Sequence, residues 1–388
     1  MRIGIDASLF KNSSKTGIPT AVENVLKSWS KNHPENEYYL FSRKKIYLDA
    51  ELKENWHLIR NPIAADRENR INNKLLALPF ALLYKFVIAP IQRMKYRTDL
   101  FWAPDYFMSV KCGAKKYAVS VYDLAMLRFK DTVTLKSRIH HKLGLPIAAH
   151  NADKIVTISR ASARDIHELL GVRKNKIAIS YLGGLNGSAE GKQPYTPDMK
   201  PELDIKGRFI LFISTIEPRK NIMTIIKAFE KYLDEYGDSD LYLVLAGGRG
   251  WRCDDIYKAA GTSRYKDRII MPGYISAEEK QYLLENASLF AYPSLYEGFG
   301  IPVLEAFDKE LPVVTTRVSS LPEVGGDAAF YIDDPYDAEA LKGQFRKVLT
   351  LSDKEMSGTK AKMKRQLKKF SWEKNAEEIM SLFKRLVK

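Results

Sequence analysis

Short apolar runs alternate with longer stretches of helical period along most of the chain. RIGIDAS (Arg2–Ser8) reads as a strand, and IPTAVENVLKSWS (Ile18–Ser30) as a helix with Pro19 in its first turn. KYAVSVYD and ADKIVTIS are short β-rich runs. RASARDIHELLG, after the second of them, reads as a helix ended by Gly171, and KIAISYLGG as the next strand. Residues 187–206 break the rhythm: they hold glycine, serine and three prolines with little apolar periodicity, and read as a linker. A second series follows. RFILFIST, LYLVLAGG, RIIMPGYI, LFAYPSL and LPVVTT read as strands, and NIMTIIKAFEKYLDEYG as a helix ending at Gly237. SWEKNAEEIMSLFKRLVK has apolar residues at helical spacing and reads as a terminal helix. Strand, loop and helix repeated in this way predict an α/β fold with two doubly wound parallel sheets.

Composition sharpens this picture. At 388 residues the chain suits two domains of roughly 100–200 residues each. Hydrophobic residues make up 45% and charged residues 28%, which excludes a disordered chain. Two distant cysteines, Cys112 and Cys253, exclude a disulfide framework or zinc finger and fit a reducing cytoplasm. The opening MRIGIDASLF lacks the apolar core of a signal peptide. The net charge of +15 fits a lysine-rich surface, an anionic substrate, an anionic membrane surface or nucleic acid. The cations are scattered and no recognition motif is present, which disfavours nucleic acid. LLALPFALLYKFVIAPI (Leu75–Ile91) is apolar and flanked by basic residues, but Pro79, Lys85 and Pro90 exclude a membrane span. A buried helix and an amphipathic element lying on anionic lipid remain as its two readings.

Open α/β sheets bind ligands outside the carboxyl ends of their strands, so the residues after each strand carry the candidate chemistry. KNSSKTGIP contains Gly17, which permits close backbone approach ahead of a helix N-terminus. IEPRKN brings Arg219 and Lys220, a fork and a point charge suited to phosphate. In YEGFGIP, Gly298 and Gly300 make a turn and Pro302 opens a helix whose dipole favours an anion. RVSSLPEV is a fourth such loop, with Pro322 in a first helical turn. Two cations, a helix N-terminus and glycine-lined backbone suit a departing nucleoside diphosphate. Glu297 and Glu305, set among apolar residues, suit vicinal sugar hydroxyls. Read singly, each could be a turn or surface residue; their joint placement points to a site. His140, His141 and His150 lack ligand spacing and read as structural. No metal-ligand cluster is evident, and AGGRGW lacks the GxGxxG pattern of a dehydrogenase.

Several of these motifs occur in the order found in one family. YEGFGIPVLEA with its E-x7-E spacing, STIEPRKN before it and SSLPEVGGDAA after it, together with ADKIVTISRASARDI, LVLAGGRGW and the closing FSWEK, resemble the retaining GT-B glycosyltransferases of glycosyltransferase family four. The resemblance covers nearly the whole chain. It implies a GT-B fold: two Rossmann-like, doubly wound domains facing a central cleft. Residues 1–186 would form the acceptor-side domain, 187–206 the linker, and 207–370 the nucleotide-sugar domain. Residues 371–388 would form a helix packing back on the N-terminal domain. It implies transfer of a hexose from a nucleotide sugar to a saccharide or lipid-linked acceptor, without metal or other cofactor. By motif, Arg219 and Lys220 would hold the donor diphosphate, Glu297 would lie by the transferred sugar, and Glu305 would hold the ribose. Met271, Gly273 and Tyr274 would frame the base, Gly298, Phe299, Gly300 and Ile301 would line the donor, and Gly17 would reach the sugar phosphate. Catalytic roles would fall to Glu297, Arg219 and Lys220. Relatives often carry His-Asp where this chain has Tyr122-Asp123, so these two are candidates for the acceptor or sugar side. The style of the motifs is most similar to mannosyl- and rhamnosyltransferases of surface polysaccharide pathways. GDP-mannose is the expected donor, and UDP-sugars and dTDP-rhamnose are the alternatives. The expected location is the cytoplasm, or its membrane face as a peripheral protein. A sugar-nucleotide epimerase and a non-catalytic basic binding protein are the readings of other kinds.

Overall fold

The computed structural model describes residues 1–11, 17–49, 53–60, 87–105, 111–129, 144–184 and 194–388. They fall into two compact units. The first comprises the described residues within 1–124, 136–183 and 372–388, the second those within 125–135 and 184–371.

The first unit is built on a seven-stranded sheet. Its strands are β1 (Arg2–Asp6), β2 (Glu37–Ser42), β3 (Trp56–Arg60), β4 (Thr98–Ala103), β5 (Ala114–Ser120), β6 (Lys154–Thr157) and β7 (Ile177–Ile179). All neighbours pair in parallel, in the order β3-β2-β1-β4-β5-β6-β7. The second unit has β8 (Arg208–Ile213), β9 (Leu241–Ala246), β10 (Ile269–Gly273), β11 (Leu289–Tyr292), β12 (Val313–Thr316) and β13 (Phe330–Ile332). These too are all parallel, in the order β10-β9-β8-β11-β12-β13. In each sheet the order reverses once, between β1 and β4 and between β8 and β11. Loops leaving the two strands at such a point diverge to opposite faces and leave a crevice at the carboxyl edge.

Helices arise where the apolar residues recur every three or four positions. In Ile18–Asn32 that stripe is Ala21, Val22, Val25, Leu26 and Trp29, all buried. The terminal helix Trp372–Val387 presents Ala376, Ile379, Met380 and Phe383 to the same core, although it follows the second unit in sequence. The Trp29 indole N–H donates to the Ala376 carbonyl at 2.9 Å, and its ring lies 5.2 Å from Trp102 and 5.8 Å from Phe383. Ser180 and Asn375 add a buried side-chain hydrogen bond of 2.8 Å.

Two segments differ from their compositional reading. Residues 194–206, read as linker, include the 3-10 turn Pro201–Leu203 and dock on the second unit. The Lys200 ammonium donates to the carbonyls of Pro272 (2.7 Å) and Tyr274, and its backbone N–H donates to Glu279 Oε1 at 3.0 Å. Residues 125–129, placed by sequence in the first domain, group with the second unit, where the Phe129 ring lies 5.8 Å from Tyr296. Of the apolar stretch Leu75–Ile91, residues 75–86 lie outside the described residues. Beyond them, the helix Ala89–Tyr96 buries Pro90 and Arg93 and exposes Ile91 and Met94. The Arg93 guanidinium lies 4.7 Å over the Phe101 ring. No described helix is long and apolar enough to cross a membrane.

Candidate active site

The reversal between β8 and β11 gathers most of the sequence-predicted residues. The chain leaves β8 through the 3-10 turn Pro218–Lys220 and enters the helix Ile222–Tyr236. Between them Asn221 adopts a left-handed conformation (φ 58°), which asparagine tolerates better than most residues. Its buried side-chain amide donates to the carbonyls of Pro293 (3.0 Å) and Pro335 (2.5 Å), and its oxygen accepts from the Thr224 hydroxyl at 2.7 Å. Three strand exits, those of β8, β11 and β13, are thereby tied together. The Leu295 N–H donates to the Arg219 carbonyl at 2.9 Å and adds a backbone link between the first two.

Lys220 and Glu297 meet inside this frame, 5% and 8% exposed respectively. The Lys220 ammonium donates to Glu297 Oε1 at 2.6 Å and to the Tyr292 hydroxyl at 2.9 Å. Arg219 lies beside them. It donates to the Tyr296 carbonyl at 2.7 Å and to Glu217 Oε1 at 2.6 Å, and its guanidinium is 3.4 Å from Glu297 Oε2. Burial alone would push the Glu297 carboxyl up, but Lys220 and Arg219 outweigh it and hold it below the ordinary carboxylate range. Burial would likewise lower Lys220, and Glu297 reverses this and raises it. Burial, and then the charge of Glu297, pushes the Tyr292 phenol up to about 12, so it stays a neutral hydroxyl.

The loop carrying Glu297 is held from the exit of β12. Ser319 sits at φ 48° and its hydroxyl accepts the Glu297 N–H at 2.8 Å. The Ser320 hydroxyl lies 2.9 Å from the Glu297 carbonyl and 2.7 Å from that of Phe299. Gly298 and Phe299 are buried, and the Phe299 ring packs edge-on against Phe370 at 5.6 Å. Gly300 has φ 112°, closed to residues with a Cβ, and a Cβ there would also press on Leu321 at 3.2 Å. Ile301 then opens the helix Ile301–Asp308, whose first-turn proline removes an N–H that would have lacked a partner. Glu305, one turn further on and 8% exposed, accepts from the Lys280 ammonium at 2.5 Å.

On the far side of β8, Met271 and Gly273 end β10 and Tyr274 follows, 72% exposed. In the first unit, Gly17 (φ 62°) caps the helix Ile18–Asn32, while residues 12–16 of its loop lie outside the described residues. Tyr122 packs against the first core, and burial together with Asp105 pushes its phenol up. Asp123, next in the chain, is half-buried. The structure therefore brings Arg219, Lys220, Glu297 and the 298–301 turn into one network. Gly17, Tyr122 and Asp123 belong to the other unit. The His150 Nδ1–H donates to the Pro146 carbonyl (2.8 Å), and His140 and His141 lie outside the described residues.

Sequence reasoning passed over Asn221, Tyr292, Ser319 and Lys280, whose contacts depend on sheet order, and Glu217, which pairs with Arg219 within one turn. It also passed over Asp105, just beyond the carboxyl end of β4. Burial, and then the neighbouring Asp6, pushes that carboxyl up to about 6. Position after a strand at the sheet reversal was the signal available for it.

The chain and its two sheets have counterparts among known proteins. Residues 197–369 match the family described as Glycosyl transferases group 1. The chain is 29% identical over 300 residues to O-antigen chain mannosyltransferase B of Escherichia coli, a stretch that is 75% of each chain. It is 30% identical over 247 residues to serotype-specific mannosyltransferase WbdA of Escherichia coli, which is 61% of this chain and 29% of that longer one. Among solved structures, sucrose-phosphate synthase from Thermosynechococcus elongatus superposes with a TM-score of 0.71 at 18% identity, over 99% of this chain and 98% of that one. WaaG, a glycosyltransferase involved in lipopolysaccharide biosynthesis, superposes with a TM-score of 0.66 at 15% identity, over 99% of both. At such identities the likeness speaks for the fold, which is GT-B. The protein is a glycosyltransferase. Its residues 197–369 match the group 1 glycosyl transferases, and three quarters of the chain is similar to an O-antigen mannosyltransferase.

Proposed function

We propose that this glycosyltransferase moves mannose from GDP-mannose to a hydroxyl of a saccharide or lipid-linked acceptor during assembly of a surface polysaccharide, with the anomeric configuration retained. The O-antigen and serotype-specific mannosyltransferases among its relatives support the sugar and the pathway. The observation that carries the chemistry is the buried Lys220–Glu297 pair, with Arg219 beside it, at the carboxyl edge where the second sheet reverses.

In this reading Arg219 and Lys220 hold the donor diphosphate. Negative charge grows on the leaving phosphate oxygen as the bond to the sugar breaks, and fixed cations out of water stabilise that growth most. The N-terminus of the helix Ile301–Asp308 adds its dipole. Glu297, kept ionised by the two cations, faces the electron-poor sugar carbon. The acceptor attacks from the side the diphosphate leaves, and the leaving oxygen takes the acceptor's proton. Two side-chain cations take the part a divalent metal would otherwise play, so activity should withstand a chelator. The enzyme would work in the cytoplasm or as a peripheral protein on the inner membrane face.

The test is turnover of purified protein with GDP-mannose, UDP-glucose, UDP-N-acetylglucosamine and dTDP-rhamnose, with a lipid-linked saccharide as acceptor. GDP-mannose should be consumed and an α-linked product formed, in the presence or absence of chelator. Arg219→Ala should lose roughly 100-fold or more in turnover, as expected for one donor to a developing charge, with its thermal midpoint nearly unchanged. Release of another nucleotide would reassign the donor, and unaltered turnover by Arg219→Ala would remove the phosphate role.

A further inference from the structure

Lys280 lies in the first turn of the helix Ala277–Asn286, which follows β10, and its ammonium reaches Glu305 on the helix Ile301–Asp308. The two helices already share another ion pair further along, Lys309–Glu285 at 2.8 Å, with side chains only 8% and 5% exposed. The Lys280–Glu305 pair differs in that the lysine side chain is 32% exposed while the carboxylate is 11% exposed. Lys280 lies in the first turn after β10 and the 271–274 loop, hence at the carboxyl edge of the sheet.

The position of Lys280 is set on both sides. Its neighbour Glu279 closes a capping box with Ser276, accepting the Ser276 N–H at 2.8 Å, and also accepts the Lys200 N–H. The Lys200 ammonium is in turn seated on the carbonyls of Pro272 and Tyr274. The base-framing loop, the start of this helix and the Lys280–Glu305 pair therefore form one braced edge.

A carboxylate offers only acceptors and an ammonium only donors. A ribose hydroxyl that donates to Glu305 and accepts from Lys280 satisfies both, and a second hydroxyl can use the remaining carboxylate oxygen. A 2′-deoxyribose provides one hydroxyl fewer and leaves part of a charged pair without its partner, which costs more than a neutral hydrogen bond. We propose that Lys280 is a specificity-determining residue that works with Glu305 to select ribonucleoside over 2′-deoxyribonucleoside diphosphates. The proposal rests on the reading of this edge as the donor site, and it disfavours dTDP-sugars among the donors.

Titration calorimetry of the full chain with GDP, 2′-deoxy-GDP, UDP and 2′-deoxy-UDP tests it, using wild type, Lys280→Met, Lys280→Arg and Arg219→Ala. Wild type should prefer each ribonucleotide by roughly tenfold or more, the size of one hydrogen bond to a charged group. Lys280→Met should weaken the ribonucleotides and leave the deoxy forms nearly unchanged, so that the preference falls to about threefold or less, and Lys280→Arg should restore most of it. Equal loss for both sugar types, or an unchanged preference in Lys280→Met, overturns the proposal. Arg219→Ala separates the two ideas: if it binds every nucleotide as wild type does, the donor-site reading fails, whereas if it loses them while Lys280→Met discriminates normally, only the role of Lys280 fails. Absence of nucleotide binding in wild type overturns both.

Discussion

Lys220 and Glu297 are buried side by side, and each would be destabilising without the other. Removing one partner of such a pair typically costs about 3–5 kcal/mol, because the other is left charged and dry. Lys220→Met and Glu297→Gln should each lower stability in urea unfolding, and the double variant should fall short of their sum by about 1–3 kcal/mol. Additive losses would show that the two side chains do not act as a unit. The pair also sets a pH window. Glu297 titrates below its ordinary value of 4.5 in the folded chain, so its contribution is present above that value and is lost as pH falls through the lower folded one. Lys220 titrates above 10.5, so its contribution is complete below that value and is lost as pH rises through the higher folded one. Between these limits the pair keeps its charges, and neither group should appear in the pH–rate profile near neutrality. A pH-dependent loss near pH 7 that vanished in Glu297→Gln would contradict this assignment.

Asn221 does for the elements what the ion pair does for the charges. Its amide joins the start of the helix Ile222–Tyr236 to the exits of β11 and β13, and its left-handed backbone turns the chain so that Arg219 and Lys220 stay at the strand ends. Asn221→Gly keeps the backbone permissive and removes the tie; Asn221→Ala loses the tie and adds backbone strain of order 1 kcal/mol. The thermal midpoint should therefore fall in the order wild type, Gly, Ala, and both variants should lose turnover. If Gly matched wild type in both measurements, the amide would be dispensable. Such ties were not legible in the sequence, because Asn221 meets Pro293 and Pro335 only once the order β8-β11-β12-β13 is known. The motifs around Arg219, Lys220 and Glu297 were legible, since each follows a strand and sets charged residues and glycines in turns that would not need them for folding alone. The strands β2 and β3, in EYYLFS and WHLIR, were not singled out: the polar residues Glu37, His57 and Arg60 blur the run, and both lie among aromatic neighbours that only the folded sheet supplies, with Tyr38 and Trp56 stacked at 4.1 Å. The helix Asp353–Leu367, crowded with lysines, buries only Thr359, Met363 and Gln366 and has too thin an apolar stripe to stand out. Composition marked 187–206 as linker because a docked segment without regular structure has no periodicity; its attachment comes from single contacts such as those of Lys200.

At the scale of the whole molecule, the chain's path makes the two units depend on the C-terminus unequally. The terminal helix leaves the second unit and completes the core of the first, where Met380 and Phe383 are fully buried and the Trp29 indole N–H has the Ala376 carbonyl as its acceptor. Truncating one large buried side chain such as Phe383 costs about 3–5 kcal/mol, a large share of the roughly 5–15 kcal/mol that holds an ordinary domain folded. Losing the whole helix removes several such side chains and uncovers Trp29 and Trp102. The Arg219–Lys220–Glu297 network, by contrast, has all its named partners within the second unit. Deletion of residues 372–388 should therefore unfold the first unit and leave the second able to bind nucleotide. Calorimetry should show one transition lost, and on the proposed donor the surviving one should rise with GDP, by about 2.7 kcal/mol of added stability at a hundredfold excess over the dissociation constant. Hydrogen exchange should report protection retained in β8 to β13 and lost in β1 to β7. Protection lost from both sheets together would mean that the units stand or fall as one cooperative body, and that the terminal helix holds more than the core it completes.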